Sequence, residues 1–283
     1  MNIKTAVVAI VFALSLSFVG FAQQPGTIKR TTYKSDKLPF GVGGTLAVVG
    51  APEGKITIEG WSKNEIEISA EIELESANEA DLAKLSSVVG FLLDESLGRT
   101  AITSIGPNDK KAMKKLDKKF PVHLFGVPFK INYSLKVPRY TDLQIDGGKG
   151  DLAIAGVEGV FRITQIEGNS KIDLVGGSIT ATVGSGEMHI TIPTRSWRGR
   201  FAEINLAKGD MKVNLPHGLN AHFDASILRT GKIENLFSSF TPRERKAEFT
   251  ETSIVAKAGT GSVPLKFTVG DGNITINEIN KPS

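Results

Sequence analysis

Between Leu143 and Ile233, apolar residues recur two apart: Leu152/Ile154, Ile172/Leu174, Met188/Ile190/Ile192, Ile204/Leu206 and Met211/Val213/Leu215. A period of two puts alternate side chains on one face, so each group predicts a short strand with one buried side. Broken at its glycines, the stretch reads LQIDGGKG, DLAIAGVEG, VFRITQIEG, NSKIDLVGG, SITATVGSG, EMHITIPTRSWRGR, FAEINLAKG and DMKVNLPHG. The strand starts Leu143, Leu152, Phe161, Ile172, Ile179 and Met188 step by 9, 9, 11, 7 and 9 residues. That is the spacing of short strands joined by tight turns.

The same alternation runs through the region 41–140. Leu46/Val48 and Ile56/Ile58 predict strands, and Ile66, Ile68, Ile72 and Leu74 alternate with Glu65, Glu67, Glu71 and Glu73. The latter is the pattern of a half-exposed strand with an acidic outer face. The period then changes. Ala77, Leu82, Leu85 and Val89 predict a short helix over about residues 79–88, capped by Asn78 or by Ser76 with Glu79 three residues on. A strand pair is expected near Phe91–Leu93 and Ala101–Ile105, and another strand over Phe129–Val137, with Ile131, Tyr133, Leu135 and Val137 on one face. Residues 23–40 are polar without a sustained period and predict a linker. Residues 107–120, PNDKKAMKKLDKKF, predict a lysine-rich loop or a basic amphipathic turn.

Two architectures fit strands of this length. One is an antiparallel β-sandwich; the other is a β-solenoid or β-roll, in which the chain winds and stacks each coil on the last. Sandwich hairpins favour Asn-Gly or Asp-Gly turns, and here such pairs are few, at Asp146-Gly147 and Asp271-Gly272. Most turns carry paired glycines, which suits a chain cornering closely against an identical corner. The expected fold is therefore mainly β: a β-solenoid with Gly-rich turns and one short helix in its N-terminal part. It runs through 141–283 and continues from 41–140, and the sandwich is the alternative. Gly272-Asn-Ile-Thr-Ile near the end echoes Gly54-Lys-Ile-Thr-Ile near the start.

Composition adds compartment. Lys4, the apolar run Ala6–Val19 and the small residues Gly20 and Ala22 have the form of a cleavable secretion signal over residues 1–22. The expected product is exported to the periplasm or the outer surface. There is no cysteine, so packing alone stabilises the fold and no thiolate site exists. A formal net charge of +4 makes no case for nucleic acid.

Three pieces together resemble the bacterial putative-adhesin family, a secreted domain of unknown function. They are Gly54-Lys-Ile-Thr-Ile-Glu-Gly-Trp61, Tyr133-Ser-Leu-Lys-Val-Pro138, and the Gly-x-Leu/Ile-x-Ile ladder from Gly150 onward. The similarity spans about residues 40–280. It implies a β-solenoid, an envelope location and an adhesive role, and it offers no catalytic residue to carry over. The lysine-rich insert at 110–119 and Trp197 within Arg195–Arg200 depart from the family pattern.

No catalytic motif stands out. Asp146, Asp151, Asp173 and Glu187 lie at or near turns, where a glycosidase pair could sit, but where Asp also simply bends chains. His217 and His222 share no helix face, no His-Glu-x-x-His occurs, and Gly184-Ser185-Gly186 lacks the spacing of a nucleophile elbow. No metal and no cofactor are expected. Two surfaces remain. Arg195, Trp197, Arg198 and Arg200 fill the longest gap in the ladder, where Trp197 either stacks a ligand or covers the core edge. Lys110, Lys111, Lys114, Lys115, Lys118 and Lys119 either contact an anionic surface or keep a loop soluble. The expected function is a secreted, non-enzymatic adhesin-like binding or structural module. Its partners would be envelope polysaccharide, an anionic lipid surface or another protein. A glycoside hydrolase or lyase on a solenoid is the alternative.

Overall fold

The computed structural model describes residues 27–194, 198–245 and 248–279. The expected signal over 1–22 lies outside them. In chain order the elements are β1 (Ile28–Pro39), β2 (Thr45–Glu53), β3 (Ile56–Trp61), β4 (Glu65–Ser76), α1 (Glu79–Ser86), β5 (Gly90–Ser96), β6 (Arg99–Ile105) and α2 (Lys110–Leu116). A single 3-10 turn, Val122–Leu124, precedes β7 (Phe129–Pro138). The ladder follows as β8 (Asp142–Lys149), β9 (Leu152–Ala155), β10 (Gly159–Glu167), β11 (Ser170–Asp173), β12 (Gly176–Ser185), β13 (Met188–Thr191), β14 (Arg198–Lys208) and β15 (Met211–Pro216). The chain closes with β16 (Ala221–Thr230), β17 (Ile233–Asn235), β18 (Thr241–Pro242), β19 (Ser253–Ala258), β20 (Val263–Asp271) and β21 (Ile274–Ile279).

Each coil is a longer strand, a glycine corner and a shorter strand, and successive coils pair in parallel. The longer strands run β2–β8–β10–β12–β14–β20–β16, with Phe161 beside both Leu143 and Ile179. The shorter strands run β3–β9–β11–β13–β15–β21–β17. Inward side chains of both runs form one core, which holds Leu143, Leu152, Ile179, Ile190, Ile204, Val213, Phe267 and Ile276. The solenoid-like reading holds. The antiparallel sandwich does not, because the coils pair in parallel and antiparallel pairing is confined to β1–β4–β7, β5–β6 and β16–β19–β18.

The winding is not sequential at its far end. The last coil, β20–β21, lies between β14–β15 and β16–β17, so the chain skips a place and fills it on its return. Ile56 and Ile274 occupy the same column of the core, Ile56 in the first coil of the stack and Ile274 in the coil that is last in sequence but next-to-last in space. Both ends of the core are covered. Phe237 and Phe240 close one end against Phe223, and α1 with Leu82 and Leu85, Met113 of α2 and Phe120 belong to the other. A solenoid needs such covers because each coil buries its faces only against its neighbours.

Two sequence expectations are corrected. Residues 28–39 of the supposed linker form β1, paired over its full length with β4. It lacks an apolar period because it is an edge strand with Leu38 as its one fully buried apolar side chain. The lysine-rich loop contains a helix, α2, whose N-cap Asp109 accepts from the backbone N–H of Lys111 and Ala112. The signal was present in Asp109 and in Met113, Leu116 and Phe120 at helical spacing. In α1 the cap is Asn78, which accepts from the Asp81 N–H; Ser76 belongs to β4.

Candidate functional site

The corners account for much of the acidic signal. Gly54, Gly150, Gly168, Gly186, Gly209, Gly272 and Gly231 stack with φ between 123° and 139°. A Cβ on any member after the first would overlap the carbonyl oxygen of the glycine one coil away. Only glycine satisfies both demands. The residue after the glycine ties coil to coil: Asp151 accepts from the Asn169 N–H (3.0 Å) and Asn169 from the Glu187 N–H (3.0 Å), each across 18 residues. Asp210 accepts from the Asn273 N–H across 63 residues, and Asn273 from that of Lys232. Asp151 is thus a scaffold residue, and the cavity beside it measures about 10 Å³, no more than one water fills. Asp146 is exposed on β8, Asp173 is half-buried on β11, and Glu187 stands 3.6 Å from His189.

Of the arginine–tryptophan surface, Arg195 and Trp197 lie outside the described residues. Arg198 opens β14, exposed, with its guanidinium 4.0 Å from the Glu158 carboxylate. Next comes a shift in register: Gly177 pairs with Gly199, but Ser178 pairs with Phe201, which leaves Arg200 as the extra residue of a bulge. Arg198, Arg200 and the partly exposed Phe201 therefore share one irregular edge.

All six lysines of the insert are exposed on or just after α2. The helix is held by buried Met113 and by the Lys84–Asp117 ion pair, and Lys110 lies 6.0 Å from the Phe125 ring centre. Leu116 (50% exposed) at the end of α2 and Val122 (83%) in the turn that follows are also exposed. The side-chain hydrogen bond from Lys84 is the main reason the Asp117 carboxyl is held below its ordinary range, and one from His123 does the same for Asp81.

Among the described residues, no group of three or more His, Asp and Glu side chains could hold a metal ion, and no helix is long and apolar enough to cross a membrane. His217 is engaged with Glu278 (2.6 Å). Burial pushes the Tyr133 phenol up to about 12, opposed by its 2.9 Å hydrogen bond with Ser104. It is a core group that stays protonated.

The sequence patterns did not point to a trough on the outer side of the N-terminal strands. It is an open cavity of about 640 Å³ bordered by Tyr33, Glu71 and Asn132, with Ser69, Ser134 and Thr57 beneath. Each strand contributes one ordinary polar residue at a time, so no motif marks it.

Stacked parallel coils with a filled core and stacked glycine corners define a β-solenoid-like protein. A family model described as Toastrack DUF4097 matches residues 94–277, and the chain belongs to that family. The match starts after Gly54–Trp61, yet the structure places that segment in register with the matched coils. Three solved structures are similar at low identity. A putative cell adhesion protein from Clostridium sporogenes ATCC 15579 is 14% identical, with a TM-score of 0.48, covering 87% of this chain and 100% of that chain. A putative adhesin from Bacteroides fragilis NCTC 9343 is 10% identical, with a TM-score of 0.32 and coverages of 87% and 97%. A putative lipid binding protein from Parabacteroides distasonis ATCC 8503 is 10% identical, with a TM-score of 0.22 and coverages of 88% and 97%. No curated protein matches.

Proposed function

We propose that this chain is an exported, non-enzymatic binding module of the cell envelope, in which stacked coils form a rigid support for contact surfaces. The observation that carries this reading is what happens to the turn carboxylates. Asp151 and Asp210 accept backbone N–H groups of neighbouring coils and so serve the stacking itself. A glycosidase needs two carboxyls about 5–10 Å apart across a cleft, one of them kept protonated. Asp146 and Asp173 instead stand on separate runs of strands. The test is a glycan array read beside a turnover assay on the same saccharides. Binding without product is expected. Product formation that disappears in Asp151→Asn or Asp173→Asn would replace this reading with the enzymatic one. Export is checked by N-terminal sequencing of the protein recovered outside the cytoplasm, with a mature end after Ala22 expected.

A second contact is favoured by α2. Six exposed lysines lie on or just after α2, in the same segment as exposed Leu116 and Val122, a combination suited to an anionic surface, where charge attracts and apolar side chains insert. Sedimentation with anionic vesicles should show binding that weakens with salt and drops in Lys114→Glu/Lys118→Glu. Salt-independent binding, or none, removes this second contact.

A further inference from the structure

The outer face of β1, β4, β7 and β3 carries three parallel rows of side chains, set by register. In the middle row Ser35 faces Ser69, Ser69 faces Ser134, and Ser134 lies beside Thr57. None of these four hydroxyls has a hydrogen-bond partner among the described residues, although each can donate one and accept. One flanking row is Tyr33, Glu71 and Asn132, with Lys55 at its end; the other is Lys37, Glu67, Lys136 and Glu59. The short hydroxyls beside the first row of long side chains make a trough, and the cavity that these two rows border, about 640 Å³, lies within the range of ligand sites.

Its chemistry selects among occupants. The second wall is internally compensated: Lys37 and Lys136 both pair with Glu67, at 2.6 and 3.4 Å. The first wall balances Glu71 against Lys55, neither in an ion pair among the described residues. Lys34 also borders the cavity, but its amine turns away to donate to the Phe91 carbonyl, so the remaining side chains leave the trough no net charge and no preference for an anionic ligand, in contrast to α2. The free edge of β1 could accept an extended peptide, but the trough lies on the sheet face beside that edge and offers side chains in place of backbone groups. What is offered is a row of unused hydroxyls about 4.8 Å apart from strand to strand, close to the length of one pyranose unit. Beside it stands an aromatic ring, Tyr33, 78% exposed, able to take the apolar face of a sugar.

We infer that this trough binds a neutral saccharide chain, laid across the four strands with its hydroxyls on Ser35, Ser69, Ser134 and Thr57 and a ring against Tyr33. The inference rests on the binding-module reading and adds the site and the ligand class. Three strand steps span about 14 Å, room for about three sugar units.

The experiment is titration calorimetry of the intact mature protein with neutral hexasaccharides (β-1,4-linked glucose, β-1,4-linked N-acetylglucosamine and α-1,6-linked glucose), with hexagalacturonate as the anionic comparison. At least one neutral hexamer should bind. Tyr33→Ala should weaken it about tenfold, the loss of one stacking contact. Ser69→Arg and Ser134→Arg, outward-facing and checked for unchanged melting, should abolish binding by filling the floor. Lys212→Glu, exposed on β15 and outside every proposed contact, should leave it unchanged. If no neutral hexamer binds, or only the anionic one does, the inference is overturned. If a hexamer binds equally to all variants, the trough is the wrong site while the binding-module reading stands. Cleavage of the hexamer would instead overturn the binding-module reading itself.

Discussion

Gly186 and Gly98 both have positive φ, for different reasons. Gly186 (φ 135°) lies in the corner stack, where a Cβ would meet the Gly168 carbonyl; Gly98 (φ 71°) turns the β5–β6 hairpin with open space around it. Gly186→Ala combines a forbidden backbone with a steric overlap, and it should cost about 3 kcal/mol or more in denaturant unfolding. Gly98→Asn, in the left-handed region that Asn tolerates, should cost less than about 1 kcal/mol. Equal costs would mean that the corners do not touch as described. The ionic residues predict a pH dependence. Glu67, Asp81, Asp117 and Asp271 are held below their ordinary range, chiefly by hydrogen bonds from Lys37, His123, Lys84 and Arg229 respectively. The unfolded chain then binds more protons, so this contribution is present above about pH 4 and is lost as pH falls through the folded values. Melting temperature should hold from neutrality to about pH 5 and fall below about pH 4. Asp117→Asn with Asp271→Asn should flatten that fall. At this scale the glycines and the residues after them were legible, because a positive φ restricts residue type. The trough hydroxyls were not, because Ser69 between two glutamates looks like any outward residue of β4.

Among the elements, legibility followed burial. β4 and β7 alternate strictly, and their inward residues Ile66, Ile68, Ile72, Leu74, Ile131, Tyr133, Leu135 and Val137 are all buried. The expected acidic face of β4 does exist, but Lys29, Lys37 and Lys136 compensate it from β1 and β7. β1 itself escaped notice: Lys34 spans the edge and donates to the Phe91 carbonyl, so a lysine occupies an inward position that would ordinarily be apolar. β19 was also missed, since two of its three buried positions, Ala256 and Ala258, are small and only Ile254 is large. Of the two helices, α1 was visible through Leu82 and Leu85, whereas α2 exposes Leu116, which its periodicity would have buried. The α1 cap provides a test. Asn78→Ala removes the acceptor for the Asp81 N–H and should lower stability by about 1 kcal/mol, measured by urea unfolding. No change would mean that the helix end is satisfied by other groups.

At the scale of the molecule, the decisive feature is the return of β20–β21 into the interior of the stack. Although it follows β16–β17 in sequence, β20–β21 is flanked on both sides by paired strands. Hydrogen exchange should therefore protect the amides of Leu265–Val269 and Ile274–Ile276 as strongly as those of β12 and β13. Rapid exchange there would mean that the last coil is only loosely inserted. Alternation, the glycine corners and the solenoid class are local matters: each strand's buried side and each corner's positive φ constrain residues one position at a time, and they were readable on the chain. Which coil lies on which is decided only by whole coils meeting. β21 matches all six residues of β15, from Met211–Ile274 to Pro216–Ile279, whereas β17 offers only three, so the longer partner takes the inner place. The trough follows the same logic. β1, β4, β7 and β3 are far apart in sequence, and their hydroxyls align only because pairing register brings Ser35, Ser69, Ser134 and Thr57 into one row.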